Sequence, residues 1–324
     1  MQYPRLLDMR PLAANKSFFL FGPRSTGKTT LLRKQFAPEA IINLLRAAEY
    51  LPLAQSPSIL AERVREIRRT HPVVIIDEIQ KLPALLDEVH HLIEAESATF
   101  VLTGSSGRKL KRGGVNLLAG RAWQAQLFPL VSAEIAEFDL DRYLLYGGLP
   151  QVYPSELPGE ELDAYIHTYL REEILAEGAT RDLTNFSRFL RVAAAVNAEQ
   201  LNFSNVANDT GVSASSVRAF EHWVAMELRA YLSYRRIKRT LNFWRTYTGL
   251  EVDFVIEGLC AVETKATTRV SGKHLRGLRA FAEELPGLPR ILVSLDESDR
   301  TTEDGIRLLH WRRFVELLWS DAFG

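Results

Sequence analysis

The chain has 324 residues, 46% of them hydrophobic and 25% charged, a balance that supports a sizeable core and excludes a largely disordered chain. Lys+Arg and Asp+Glu both number 40, so net charge is zero and argues neither for nor against a nucleic-acid partner. The one cysteine, Cys260, excludes an intramolecular disulfide, fits a reducing compartment and reads as a buried small hydrophobe in its apolar run LCAV.

Roughly 100–200 residues per domain predicts two or three domains. The N-terminus MQYPRLLDMRPLAANK lacks the apolar region and cleavage site of a secretion signal. The apolar runs are far shorter than the ~20 residues of a membrane helix, so a cytoplasmic protein is expected, with no membrane partner.

In chain order, Ser17–Phe21 reads as a buried strand and the stretch from Gly27 to Gln35 as a helix. Ala40–Leu44 is a second strand, and Ile59–Thr70 a helix with Leu60, Val64 and Ile67 on one face. Val73–Ile76 is a β-branched strand, Ala84–Glu96 an amphipathic helix with solvated His90 and His91, and Thr99–Thr103 a fourth strand. Ala122–Leu127 is a fifth, and this alternation predicts a parallel α/β domain. From Ala133 to Arg191 the pattern turns helical, interrupted by a Gly147–Pro150 break and a Pro154–Pro158 linker. Short strands return at Glu251–Ile256, Leu259–Ala266 and Arg290–Leu295.

Between the first strand and helix runs Gly22, Pro23, Arg24, Ser25, Thr26, Gly27, Lys28, Thr29, Thr30, which matches the phosphate loop G-x-x-x-x-G-K-[ST] in its proper context. The glycines let backbone N–H groups curl toward phosphate oxygens, and the helix N-terminus adds its positive end. Lys28 is then a point charge for the β and γ phosphates of ATP, and Thr29 a hydroxyl for Mg²⁺. The strand VVIIDE delivers Asp77 and Glu78 to the sheet's C-terminal edge, where ligands bind in such folds. Asp77 is expected in the Mg²⁺ shell, and Glu78 as the general base that polarises the attacking water.

Further on, Phe203–Arg218 has Val206, Ala207, Gly211 and Val217 spaced as in a helix-turn-helix, which can read DNA or simply pack. Between Arg229 and Arg245 lie Arg235, Arg236, Lys238 and Arg239 with Tyr231, Tyr234, Phe243 and Trp244 and no acid. That stretch suits a nucleic-acid surface, or equally a solvated helix end with core aromatics. In the strand AVETKA, Glu263 and Lys265 share a face, as positions two apart do. Asp253 joins them only if it pairs opposite Glu263 across an odd-length loop such as Glu257–Gly258–Leu259; Val252, Phe254 and Ile256 then form the opposite, apolar face. Two acids and a lysine on one face suit metal-dependent phosphodiester hydrolysis, or an ordinary exposed strand with a Glu/Lys pair.

FLFGPRSTGKTTLL, VVIIDEIQKLP, LTGSSGRKLKRGGVNLLAGRA and YGGLPQVY resemble a group of bacterial and archaeal AAA+-like P-loop ATPases with a C-terminal domain of uncharacterised function. FEHWVAMELRAYLSYRR, NFWRTYTGLEVDFVI and AVETKAT extend the resemblance to the C-terminal end. The resemblance implies an AAA+-type sheet of order 5-1-4-3-2, a helix-turn-helix middle and a restriction-endonuclease-like, PD-(D/E)xK core, with Glu221 as its upstream helical glutamate. The expected domains are 1–135, 136–218 and 219–324. The chain departs from the group in one respect: several dozen residues that separate the last two segments there are missing here, where Arg218 runs directly into Ala219. Following AAA+ practice, Thr103 or Ser105 would sense the γ-phosphate, unless Thr103–Ser105 is only a strand-ending turn. Arg121, after the basic run Arg108, Lys109, Lys111 and Arg112, would be an arginine finger, in cis or on the ATP of a neighbouring subunit in a homo-oligomer, or else a solvated loop residue. The expected activity is ATP hydrolysis coupled to DNA through the nuclease-like tail; the alternative is a regulatory switch whose tail binds nucleic acid or protein without cleaving.

Overall fold

The computed structural model describes residues 3–105, 118, 120–169 and 214–323. Arg108, Lys109, Lys111, Arg112, Val206, Ala207 and Gly211 lie outside them. The chain divides into two compact units, Met1–Leu130 with Gly148–Leu157, and Val131–Gly147 with Pro158–Gly324.

In the first unit a short helix α1 (Arg10–Asn15) leads into β1 (Phe18–Phe21), α2 (Lys28–Gln35), β2 (Ile41–Asn43), α3 (Ala47–Gln55), α4 (Ile59–Ile67), β3 (Val73–Asp77), α5 (Leu85–Glu96), β4 (Thr99–Gly104) and β5 (Trp123–Gln126). The sheet order is β2-β3-β4-β1-β5 with every pairing parallel, the order 5-1-4-3-2 read from the other edge. Its central strands are apolar on both faces because helices cover both, so Phe18, Phe19, Val74, Ile75, Ile76 and Val101 are fully buried. Each such side chain contributes roughly 1.5–3 kcal/mol. Two helices escape the sequence pattern, α1 and α3; α3 carries Pro52 inside it and still closes with Ser56 N–H on the Pro52 carbonyl.

The second unit begins with α6 (Leu140–Tyr146) and α7 (Pro158–Tyr169). After them come α8 (Ala214–Tyr234), β6 (Leu241–Arg245), β7 (Glu251–Ile256), β8 (Cys260–Lys265), α9 (Arg276–Glu284), β9 (Arg290–Ser294), β10 (Arg300–Thr301), β11 (Ile306–His310) and α10 (Trp311–Trp319). The six strands form one mixed sheet, β10-β11-β9-β8-β7-β6. The Arg218–Ala219 junction lies inside the helix α8.

Across β7 and β8, Phe254 faces Val262 and Ile256 faces Cys260, which sets the odd loop Glu257–Leu259 and carries Asp253 opposite Glu263. The expected alternation of β7 does not hold. Between Asn242/Val255 and Trp244/Val252 the register slips by one, so Asp253 and Phe254 together oppose Phe243 in a β-bulge. Val252 and Val255, three apart, therefore join one apolar cluster with Leu278, Phe281 and Leu292. Among the described residues no helix is long and apolar enough to cross a membrane.

Candidate functional site

The loop after β1 is shaped by close packing. A Cβ on Gly22 would stand 2.4 Å from the Leu127 carbonyl oxygen, so only glycine passes beneath the end of β5. Ser25 and Gly27 take left-handed φ of 60° and 88°, which curls the chain into the start of α2. Thr26 Oγ1 donates to the Pro23 carbonyl at 2.8 Å. Arg5 braces the loop from outside, donating to the carbonyls of Thr26 and Phe128 at 2.6 Å each. Lys28, only 6% exposed, donates to the Gly22 and Pro23 carbonyls at 2.7 and 2.9 Å, so its ammonium sits within the curl.

Three polar side chains form a row across the ends of adjacent parallel strands. Asn43 pairs with Asp77 in register, and Thr103 follows the last β3–β4 pair, Ile76 with Leu102. Asp77, fully buried, accepts from Asn43 Nδ2 at 3.2 Å, from Thr103 Oγ1, and from Thr29 Oγ1 at 2.9 Å. Thr103 Oγ1 also accepts from the Glu78 N–H at 3.2 Å. Thr103 is thus buried and bonded to both acids; Ser105, two residues further, is partly exposed. Glu78 has a left-handed backbone, φ 65°, and its carboxylate accepts from Gln80 Nε2.

Beside them lies an open cleft of about 420 Å³, with Ser25, Lys28, Thr29, Glu78, Gln80 and Lys81 in its wall. A second cleft of about 280 Å³ shares Ser25, Gly27 and Thr30 and adds Tyr3, Arg5, Lys34, Pro150 and Gln151. In the sequence Pro150 closes the Gly147–Pro150 break, Pro150 and Gln151 belong to the motif YGGLPQVY, and Asn43 is not singled out. An apolar strand ending in Asn beside one ending in Asp was the available signal.

Arg121 lies before β5, whose first residue, Trp123, pairs with Phe18 at the start of β1. It is therefore at the opposite end of the sheet from the phosphate loop, and its guanidinium pairs with Glu94. The cis form of the arginine-finger expectation does not survive this topology.

In the second unit the bulged Asp253 accepts from the Thr264 N–H and Oγ1, both at 2.7 Å, while its own N–H reaches Glu263 Oε2 at 3.3 Å. Lys265 Nζ lies 2.5 Å from Glu263 Oε1. Burial pushes the Glu263 carboxyl up to about 8, with Asp253 adding to the rise and Lys265 opposing it. Burial works against the Lys265 ammonium, yet Glu263 and Asp253 outweigh it and raise its pKa. Glu221 on α8 feels the same group: burial, then Asp253, lift it to about 7. Glu251, which the sequence reading overlooked, is raised by burial and by Asp253. Glu221, Asp253, Glu263 and Lys265 thus share one electrostatic neighbourhood. Among the described residues, however, no group of three or more His, Cys, Asp or Glu side chains is arranged to hold a metal ion.

The aromatics of the basic stretch are mostly structural. Tyr231 and Tyr234 pack on Trp319, and Trp244 packs on Phe281 and donates to Glu284 at 2.8 Å; only Phe243, 75% exposed, faces solvent. Arg235 pairs with Asp321, and Arg239 donates to the Glu257 carbonyl. Cys260 is buried and free, its thiol pushed up to about 12 by burial, as expected of an inert core residue.

Residues 14–136 match a family model described as an AAA domain, which supports an AAA+-like P-loop ATPase. Residues 137–243 and 218–314 match two models described as domains of unknown function, DUF8612 and DUF4143. No curated protein matches the chain significantly. A solved structure described as the crystal structure of a DNA replication initiation factor is 13% identical over 97% of this chain and 91% of that one. Its TM-score is 0.28, a superposition too loose to define a shared fold.

Proposed function

We propose that the first unit hydrolyses ATP with Mg²⁺ at the phosphate loop, and that the second unit couples this to nucleic acid by binding it. The observation that carries the ATPase reading is the Thr29–Asp77 hydrogen bond at 2.9 Å. It brings the hydroxyl of one motif and the carboxylate of the other, both hard oxygen ligands, to one point beside Lys28. Thr29 and Asp77 would hold Mg²⁺, which when bound neutralises charge on the β and γ phosphates. Lys28 leaves the Gly22 and Pro23 carbonyls for the phosphate oxygens. Glu78 takes a proton from water as its oxygen attacks the γ phosphorus; the bond to the β-phosphate oxygen breaks, and ADP and phosphate leave. The cleft of Tyr3, Arg5, Pro150 and Gln151 lies where the nucleoside would extend from the loop.

Phosphate release by purified protein tests this reading. Turnover that needs ATP and Mg²⁺ and falls about 10²–10³-fold in Lys28→Ala is expected, the usual loss on removing one charge-stabilising donor. Equal turnover in the variant would overturn it. In trans, Arg121 remains a proposal: Arg121→Ala and Lys28→Ala subunits, each inactive alone, should recover activity on mixing.

For the second unit the Lys265–Glu263 ion pair and the Thr264 bonds to Asp253 favour the non-cleaving switch, because each group is already satisfied within the sheet. Incubation with single-stranded, duplex and branched DNA in Mg²⁺ or Mn²⁺ decides it. Binding without cleavage is expected, and cleavage lost in Asp253→Ala would reinstate the nuclease reading.

A further inference from the structure

Gln80 follows the acid pair on the short turn Ile79–Lys81, and its Nε2 donates to Glu78 Oε2. A carboxylate only accepts, so the amide nitrogen must face Glu78 and the amide oxygen must face away. There Oε1 is buried and accepts no hydrogen bond from the described residues. It also lies 2.7 Å from where a Cβ on Gly104 would stand, so any side chain at the end of β4 would push the amide off Glu78. Glu78 itself has the left-handed φ of 65°, a conformation unfavourable for a residue other than glycine.

Two unfavourable features, the orphaned oxygen and the left-handed backbone, therefore converge on one carboxylate, and a glycine leaves the room for them. Stability alone would favour an apolar residue at 80, which leaves no orphaned oxygen. Such costs persist where a function holds them in place.

We infer that Gln80 is the positioning residue of the hydrolytic reaction. It pins Glu78 Oε2, so that the other carboxylate oxygen is presented to the attacking water, and Gly104 is the clearance that lets it do so. The inference rests on the ATP hydrolysis proposed above. It assigns Gln80 an effect on turnover and none on nucleotide affinity.

The test uses the full chain, with phosphate release at saturating ATP and a titration with a fluorescent ATP analogue. Gln80→Leu is expected to lower kcat about 10²-fold, the scale of an ångström's misplacement. The analogue's Kd should stay within about twofold, well inside the roughly tenfold that 1.4 kcal/mol would give. Gly104→Ala should do the same, and the combined variant should be no worse than Gln80→Leu, since both break one contact. Gln80→Glu keeps the shape but cannot donate while ionised. Its kcat should fall as in Gln80→Leu, because the donor to Glu78 is lost while the shape of the side chain is kept. Unchanged kcat in Gln80→Leu beside an active wild type, or additive losses with Gly104→Ala, overturns the inference alone. A wild type that binds the analogue without hydrolysing ATP overturns it together with the hydrolytic reading.

Discussion

At the phosphate loop Lys28 is held by two backbone carbonyls, while Asp77 is held by Thr29, Asn43 and Thr103; in the C-terminal sheet Lys265 is held by Glu263 itself. The residue types are nearly the same, acids and a lysine on strands. In the first region backbone carbonyls are among the partners of Lys28, and neutral side chains hold Asp77. In the second the opposite charges cancel one another. A lysine parked on carbonyls can be transferred to phosphate by exchanging one set of oxygens for another. A lysine paired with a buried carboxylate cannot leave without stranding that carboxylate, which is costly. Charge that is poised and charge that is spent explain why the first region reads as catalytic and the second as a binding fold.

Removing the base should expose the contrast most. Glu78→Gln is expected to lower ATP turnover about 10²–10⁴-fold, the usual contribution of a general base, while nucleotide binding persists. A loss of binding equal to the loss of turnover, measured by analogue titration, would show that Glu78 holds the ligand and does not work as the base. The next effect is on stability. Lys265→Met leaves Glu263, 4% exposed, buried without its partner; above about pH 8, where Glu263 is ionised beside Lys265, this should cost roughly 3–5 kcal/mol in chemical denaturation, toward the lower end because Lys265 is 27% exposed, and less at neutral pH, where Glu263 takes up a proton. Adding Glu263→Gln should restore most of that loss. If Lys265→Met is as stable as wild type, the pair is not self-neutralising and the contrast weakens.

The phosphate loop was legible because its geometry is local: nine consecutive residues that follow an apolar strand and open a helix fix the curl. Asp77 and Glu78 were legible for the same reason. What joined them was not. Thr103 and Asn43 reach Asp77 only through strand neighbours distant in sequence, and Arg5 reaches the loop from the N-terminal segment. The odd loop before β8 was weighed correctly, but the bulge at Asp253–Phe254 depends on how β6 pairs, and β6 was hidden within a basic, aromatic stretch. Its aromatics leave surface and core equally open in the sequence, because their spacing does not reveal that Trp319 and Phe281 wait to cover them.

The smallest effect concerns a group that sequence reading passed over altogether. Glu227, 1% exposed on α8, accepts from the Ser132 N–H and from Trp319 Nε1, both at 2.7 Å. Burial pushes its carboxyl from the ordinary 4.5 up to about 7, against the pull of those bonds. Between those two values the folded chain keeps a proton that the unfolded chain has released. Stability must therefore fall as pH rises from about 4.5 to about 7, by about 3 kcal/mol in all, and change no further above. Glu263 and Glu221, also raised, add slopes of the same sign, so the readout is the difference between wild type and Glu227→Gln. The amide never ionises, so the variant should gain on wild type across that window and be the more stable at pH 8. Parallel stability–pH curves would mean that Glu227 ionises in the folded core, and that the second unit is wetter at its centre than its packing implies.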